Sequence, residues 1–103
     1  PNRKMVRINW TFQARTDLKD IADFISKDSK RYAKLQVTRI VQRTKILKSQ
    51  IYAGKIVPEI ERPNIRELIE GNYRIIYKVI NENQTDILTV HHSARDLSKR
   101  TIT

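Results

Sequence analysis

The chain has 103 residues, of which 21 are Lys or Arg and 11 are Asp or Glu, giving a net charge of +10 at pH 7. This length fits one domain with a single helix-on-sheet core, and the lack of any cysteine excludes disulfides, thiolate nucleophiles and cysteine-ligated metals. No apolar run approaches the roughly 20 residues of a membrane span, and no secretory leader is recognisable. We therefore expect a cytoplasmic protein without a cofactor.

The N-terminal segment predicts a half-buried strand and then a helix. A period of two puts the large apolar side chains of the strand on one face. These residues are Val6, Ile8, Trp10 and Phe12. Thr16 or Asp17 can cap the helix that follows, in which apolar residues recur at helical spacing. They are Leu18, Ile21, Ala22 and Ile25.

A second, longer helix is predicted from about Ser29 to Tyr52. Its apolar stripe is formed by Ala33, Val37, Ile40, Thr44, Leu47 and Ile51. Residues 29–58, the basic segment, contain eight Lys or Arg residues and no acidic one. The basic residues fall largely outside the stripe, so the helix has a core face and a cationic face. Such a surface suits a nucleic acid or an acidic protein, but a solvated helix face of a small protein has the same composition.

Three strands are predicted in the second half of the chain. Pro58 and Pro63 keep the residues after Gly54 out of regular structure. The strands are 65–69, 73–80 and 85–92, with turns at 71–72 and 81–84. The predicted fold is α+β with the order β-α-α-β-β-β, in which two N-terminal helices pack on an antiparallel sheet. Residues 1–103 form one domain, with a flexible extension at 1–5 and a tail at 98–103.

The stretch VHHSARDL at residues 90–97 gathers the residues that are most capable of chemistry. Strand alternation points His91 and His92 to opposite faces, so they are not expected to share one reaction centre. A histidine can serve as a general base or acid, and Arg74 can stabilise charge on a phosphate, so His91 or His92 together with Arg74 would support RNA cleavage. Alternatively, one histidine caps the strand end and the other is solvated. Ser93 lacks the context of a nucleophile elbow.

Four further charged residues allow both a structural and a binding interpretation. Arg95 and Asp96 follow the last strand, where an arginine can bind phosphate or clamp a carboxylate of its own chain. Arg66 and Glu67, in the first of the three strands, allow the same two roles. With only two glycines in the chain, no phosphate-cradling loop is present, which disfavours nucleotide hydrolysis.

The chain resembles the RelE/ParE toxin superfamily, and within it the ParE-like plasmid-stabilisation branch, from about Arg7 to Leu97. The resemblance rests on the segments ARTDLKDIADFI, GKIVPEI, IRELIEGNYRIIYKV and DILTVHHSARDL, in this order and spacing. It implies a βααβββ fold and a cytoplasmic toxin of a type II toxin–antitoxin system, held inactive by a co-expressed antitoxin.

Two mechanisms follow from this resemblance. ParE-like members poison DNA gyrase by binding it, and HHSARDL is similar to their motif at the end of the sheet, with His92, Arg95 and Asp96 in matching positions. RelE-like members cut messenger RNA on the ribosome. For that activity the resemblance implies Arg74, His92 and Arg95 as catalytic residues, although the expected C-terminal aromatic or histidine base is absent. We favour gyrase inhibition and keep the ribonuclease as the alternative.

An acidic antitoxin is the expected partner. We expect an amphipathic segment of it to cover the helices or the sheet and to meet the basic segment. The residues predicted to contact the antitoxin or the target are Lys34, Arg39, Arg43, Arg66, Arg95 and Asp96.

Overall fold

The computed structural model describes residues 5–93. Its elements are β1 (Arg7–Trp10), α1 (Phe12–Ser26), α2 (Lys30–Arg43), a 3₁₀ helix (Thr44–Lys48), β2 (Lys55–Ile56), β3 (Ile65–Glu70), β4 (Tyr73–Asn81) and β5 (Gln84–His92). The expected βααβββ order is confirmed, with the two-residue strand β2 added before β3. The predicted extension at 1–5 lies outside the described residues except for the exposed Met5, and the predicted tail at 98–103 lies wholly outside them.

The five strands form one mixed sheet in the order β1-β5-β4-β3-β2. Strands β2 to β5 pair antiparallel with their neighbours, whereas β1 lies parallel to β5. The expectation of an antiparallel sheet was therefore wrong for β1. Alternation of side chains fixes which residues share a face, but it carries no information about which strand lies alongside.

The first helix begins one turn earlier than the sequence pattern predicts. Thr11 is the N-cap, since its hydroxyl accepts a hydrogen bond from the Ala14 amide at 3.2 Å and donates one to the Ile87 carbonyl at 2.7 Å. Phe12 consequently lies in α1 and not in β1, and its side chain is 77% exposed. A threonine that is fixed by a distant strand outcompetes the local cap signal of Thr16 or Asp17.

The second helix is shorter than predicted. It begins where predicted, with Ser29 as its N-cap, because the Ser29 hydroxyl accepts a hydrogen bond from the Tyr32 amide at 3.0 Å. The α-helix ends at Arg43 and continues as the 3₁₀ helix, where the Thr44 hydroxyl donates to the Val41 carbonyl at 2.7 Å. The buried residues of this run, such as Ile40 and Leu47, keep the predicted stripe pointing at the sheet.

Both helices cover the same face of the sheet, which we call the helix face. Its core includes Ile40, Leu47, Ile75, Tyr77 and Val90. Burial raises the pKa of the Tyr77 hydroxyl, which donates to the Ile51 carbonyl and accepts from the Gly54 amide, both at 2.9 Å. A Cβ at Gly54 would lie 2.8 Å from the Tyr77 ring, so only glycine fits this close approach.

The opposite side of the sheet, which we call the open face, carries a smaller apolar cluster. Val57, Ile65 and Ile76 are buried there, and Ile60 packs against them. The segment between β2 and β3 therefore folds back across the sheet, and Glu59 of this segment comes to lie over β4.

Candidate functional site

Neighbouring residues of β4 and β5 lie on opposite faces at one end of the sheet. Tyr73 pairs with His92, and Arg74 pairs with His91. The rings of Tyr73 and His92 meet edge to face on the helix face, with their centroids 5.4 Å apart. Arg74 and His91 point to the open face. The two histidines diverge as predicted, and Arg74 and His92 are separated by the sheet.

Arg74 is the centre of an ion cluster on the open face. Its Nε donates to Glu67 of β3, while Nη1 and Nη2 donate to the two carboxylate oxygens of Glu59 at 2.7 and 2.8 Å. Lys55 Nζ lies 4.0 Å from the second oxygen of Glu67. All three guanidinium nitrogens of Arg74 are therefore hydrogen-bonded to carboxylates, and a phosphate would have to displace Glu59 to reach them.

The burial of these groups shows how strongly they depend on one another. The Glu67 side chain is 2% exposed and that of Arg74 is 12% exposed, whereas Glu59 is 47% exposed. The hydrogen bond from Arg74 lowers the pKa of Glu59 from its usual 4.5 to about 2. The same bond, with Glu67, raises the pKa of Arg74 further above its usual value. A buried carboxylate of this kind is stable only while its cation is in place.

The helix face carries a cavity of about 430 Å³ at the same end of the sheet. It is lined by Asp17, Asp20, Ile21, Phe24, Tyr73, Val90 and His92. Phe24 is 64% exposed at its rim, with the ammonium group of Lys27 5.7 Å from the ring centroid. Aromatic walls and an exposed carboxylate on Asp20 make this cavity able to receive a side chain of another protein.

Asp17 forms the polar floor of this cavity and fixes a bulge in β5. The residue opposite Ile76 is Thr89, but the next partner pair is Tyr77 with Ile87, so Leu88 is an extra residue. The Asp17 carboxylate accepts hydrogen bonds from the Thr89 hydroxyl and, at 3.0 Å, from the Val90 amide. Gln13 donates to its other oxygen at 2.8 Å. The buried aspartate therefore connects α1 to the irregular part of β5.

The predicted contact residues have different environments. Lys34 and Arg39 are exposed on α2. Arg43 donates from Nε to the Ile69 carbonyl at 3.1 Å. This part of β3 has no partner in β2, which pairs only with Arg66 and Glu67. Arg66 donates to the Pro63 and Gly54 carbonyls at 2.9 and 3.0 Å and stacks 4.8 Å from the Tyr52 ring. Arg95 and Asp96 lie outside the described residues.

Sequence reasoning missed Glu59, Asp20 and Phe24 as site residues. It considered Asp17 only as a helix cap, and Glu67 only together with Arg66. Asp17 had a detectable signal, because the spacing from Ala14 to Ile21 places it on the inward side of α1 among apolar residues. Glu59 had no such signal, since nothing in the alternation of β4 indicates which loop crosses Arg74.

No group of three or more metal-binding side chains occurs within residues 5–93. None of the helices in that range is long and apolar enough to cross a membrane.

Comparison with known proteins gives a consistent result. Residues 8–97 match the family model of the ParE toxin of the type II toxin–antitoxin system parDE. The chain is similar to a structure of the chromosomal ParDE system from P. aeruginosa, with 26% identity, a TM-score of 0.71, and coverage of 87% of this chain and 98% of that one. It also shares its fold with the RelBE2 toxin–antitoxin complex from Mycobacterium tuberculosis, at 20% identity, a TM-score of 0.61, and coverage of 91% and 98%. No protein with a curated description matches the sequence.

Proposed function

Because the chain belongs to the ParE family of type II toxin–antitoxin toxins, we propose that it inhibits DNA gyrase in the cytoplasm by binding it, until a cognate antitoxin neutralises it. The alternative within the superfamily is ribosome-dependent cleavage of messenger RNA. Only RNA cleavage requires Arg74 and His92 to act on the same phosphate, so their positions bear on the choice between the two activities.

The main support for this proposal is that Arg74 is hydrogen-bonded to carboxylates of the protein itself. RNA cleavage needs a general base and a charge-stabilising group on the same scissile phosphate. Arg74 is bonded to Glu59 and Glu67 on the open face, while His92 lies on the helix face against Tyr73. This separation supports a toxin that acts through its surface and not through a hydrolytic centre.

The cavity on the helix face supports an antitoxin contact there. Phe24 and Ile21 offer apolar surface beside the sheet, and a partially exposed aromatic side chain at a cavity rim is typical of an anchor point. We propose that an acidic antitoxin inserts an apolar side chain into this cavity. The predicted contact between the antitoxin and Lys34, Arg39 and Arg43 stays a prediction.

A supercoiling assay tests the gyrase proposal. Purified gyrase, relaxed plasmid and ATP are incubated with increasing amounts of the toxin, and the products are scored for supercoiling and for cleaved DNA. We expect loss of supercoiling together with linear or nicked plasmid, and recovery when antitoxin is added first. A folded, antitoxin-binding toxin that leaves supercoiling unaffected would contradict the proposal.

A histidine variant separates the two mechanisms in cells. His92→Gln keeps the size and polarity of the side chain but cannot act as a base near neutral pH. We expect it to arrest growth as the parent does, with messenger RNA intact in translating extracts. Loss of arrest together with loss of messenger RNA cleavage would favour the ribonuclease.

A further inference from the structure

The outer surface of α2 and the 3₁₀ helix is a continuous cationic surface, which we call the basic ridge. It consists of Lys30, Arg31, Lys34, Arg39, Lys45 and Lys48, all of them exposed. We propose that the basic ridge binds the phosphate backbone of duplex DNA without sequence preference. This inference goes beyond gyrase inhibition and is testable without the enzyme.

The ridge follows from the helical arrangement of its residues. Ala33, Gln36 and Ile40 are buried against the rest of the protein, whereas the basic residues Lys30, Arg31, Lys34 and Arg39 of the same helix face solvent. The 14 residues of α2 span about 21 Å at 1.5 Å per residue. Duplex DNA carries one negative charge per roughly 1.7 Å of its axis. The ridge is therefore long enough to contact several phosphates at once.

The charges of the ridge are not neutralised by carboxylates of the protein. Residues 29–58 contain no acidic residue, and within residues 5–93 no carboxylate forms an ion pair with any of the six cations. On α1, by contrast, Lys19 pairs with Asp23 at 3.2 Å, and Asp20 lies beside them on the same helix. The positive potential is thus concentrated on the second helix, where it favours an extended polyanion.

The side chains between the cations favour duplex DNA over the other polyanions. Gln42 is exposed between Arg39 and Lys45, and its side-chain amide is a hydrogen-bond donor of the kind that contacts phosphate. Single-stranded RNA is commonly bound by several aromatic platforms, and Tyr32 is the exposed aromatic residue of α2. An acidic protein needs an apolar interface core of substantial area, to which α2 contributes only Tyr32 and Leu35.

Binding to a labelled duplex, measured by fluorescence anisotropy, tests the proposal. The free toxin is titrated into two duplexes of unrelated sequence, and into a single-stranded RNA, across a range of salt concentrations. The double variant Lys34→Gln, Arg39→Gln is compared with Arg7→Gln, Lys78→Gln, which removes the same charge from the open face of the sheet. Circular dichroism and urea denaturation verify that each variant is folded, and antitoxin affinity is measured separately.

We expect both sequences to bind equally and the ridge variant to bind about tenfold more weakly, with the slope of log affinity against log salt reduced by about 2. The open-face variant should change affinity less than about twofold, because screening limits distant charges.

Equal losses for the two variants would overturn the proposal, since net charge alone would then account for binding. Unchanged DNA affinity in the ridge variant would overturn it as well, and accompanying loss of antitoxin affinity would assign the ridge to an acidic protein. Preference for single-stranded RNA over the duplex would assign it to RNA. None of these outcomes depends on whether the toxin inhibits gyrase.

Discussion

The two faces of the sheet use charged and polar residues in opposite ways, although the residues concerned are sequence neighbours. On the open face, Arg74 and Glu67 are buried together and Glu59 closes over them. On the helix face, Tyr73 and His92 line a cavity that remains accessible between α1 and the sheet. The first arrangement stabilises the fold, and the second is the surface that we propose for a partner.

This difference shows that the chemical type of a side chain does not by itself indicate whether it can bind a ligand or a partner. Arg74 has the side chain to bind a phosphate, yet all three of its guanidinium nitrogens donate to carboxylates. Phe24 has no reactive group, yet it is exposed beside the cavity. Changing residues on each face separates structural from binding roles.

The largest effect is expected for Arg74→Ala on the open face. The variant leaves Glu67 as a buried carboxylate without its main cation, which we expect to lower the free energy of unfolding by about 3–5 kcal/mol. Urea denaturation measures this change, with the exposed Arg7→Ala as the control. If both variants unfold at the same urea concentration, the ion cluster is not structural. Arg74→Met combined with Glu67→Met should restore most of the loss.

The next effect is expected for Asp17→Ala on the helix face. Its removal leaves the Val90 amide and the Thr89 hydroxyl without their acceptor at the bulge of β5, at a cost of about 1–3 kcal/mol. Asp20→Ala is the matched control, since it removes the same group from the exposed side of α1. Equal urea midpoints for the two variants would show that the bulge does not need the carboxylate.

A smaller effect, on binding alone, is expected for Phe24→Ala. The side chain is 64% exposed, so thermal stability should stay within a degree or two, while antitoxin affinity should fall about tenfold. Phe12→Ala is the control, because Phe12 lies on the same helix and is more exposed but does not line the cavity. Calorimetric titration with the antitoxin measures the affinity of both variants, and thermal unfolding measures their stability. If the two variants lose antitoxin affinity equally, the cavity is not part of the interface.

The smallest effect is a pH dependence that originates from Glu59. Its pKa is about 2 in the folded protein against 4.5 in the unfolded chain, so the ionised group stabilises the fold above pH 4.5. This contribution is lost as the pH falls from about 4.5 to 2. Because the side chain is 47% exposed, we expect on the order of 1 kcal/mol after screening.

Glu59→Gln measures this contribution. Below pH 4.5 the parent should lose more stability than the variant, and the two unfolding curves should converge towards pH 2. Parallel curves over this range would mean that the contact between Glu59 and Arg74 does not stabilise the fold.

The sequence patterns located the last three strands but not the residues that pack across them. Alternation in β4 and β5 correctly separated His91 from His92, and Gly71 adopts the positive φ of 58° that the predicted turn requires. The position of Glu59 over Arg74 was not predictable, because it depends on how the segment after β2 packs on Ile65 and Ile76. The true cap of α1 was missed for a similar reason, since Thr11 is held by Ile87 of β5.

The parallel pairing of β1 with β5 has a consequence for how the toxin is made. Arg7 pairs with Gln84 and Trp10 with Ile87, so the edge strand must wait for a partner that leaves the ribosome last among the described elements. Closing so long a loop carries an entropic cost, and contacts between distant residues slow folding. Since β5 lies between β1 and β4, the sheet is completed only after residue 92 has emerged. The toxin therefore acquires its finished sheet only after β5 has left the ribosome.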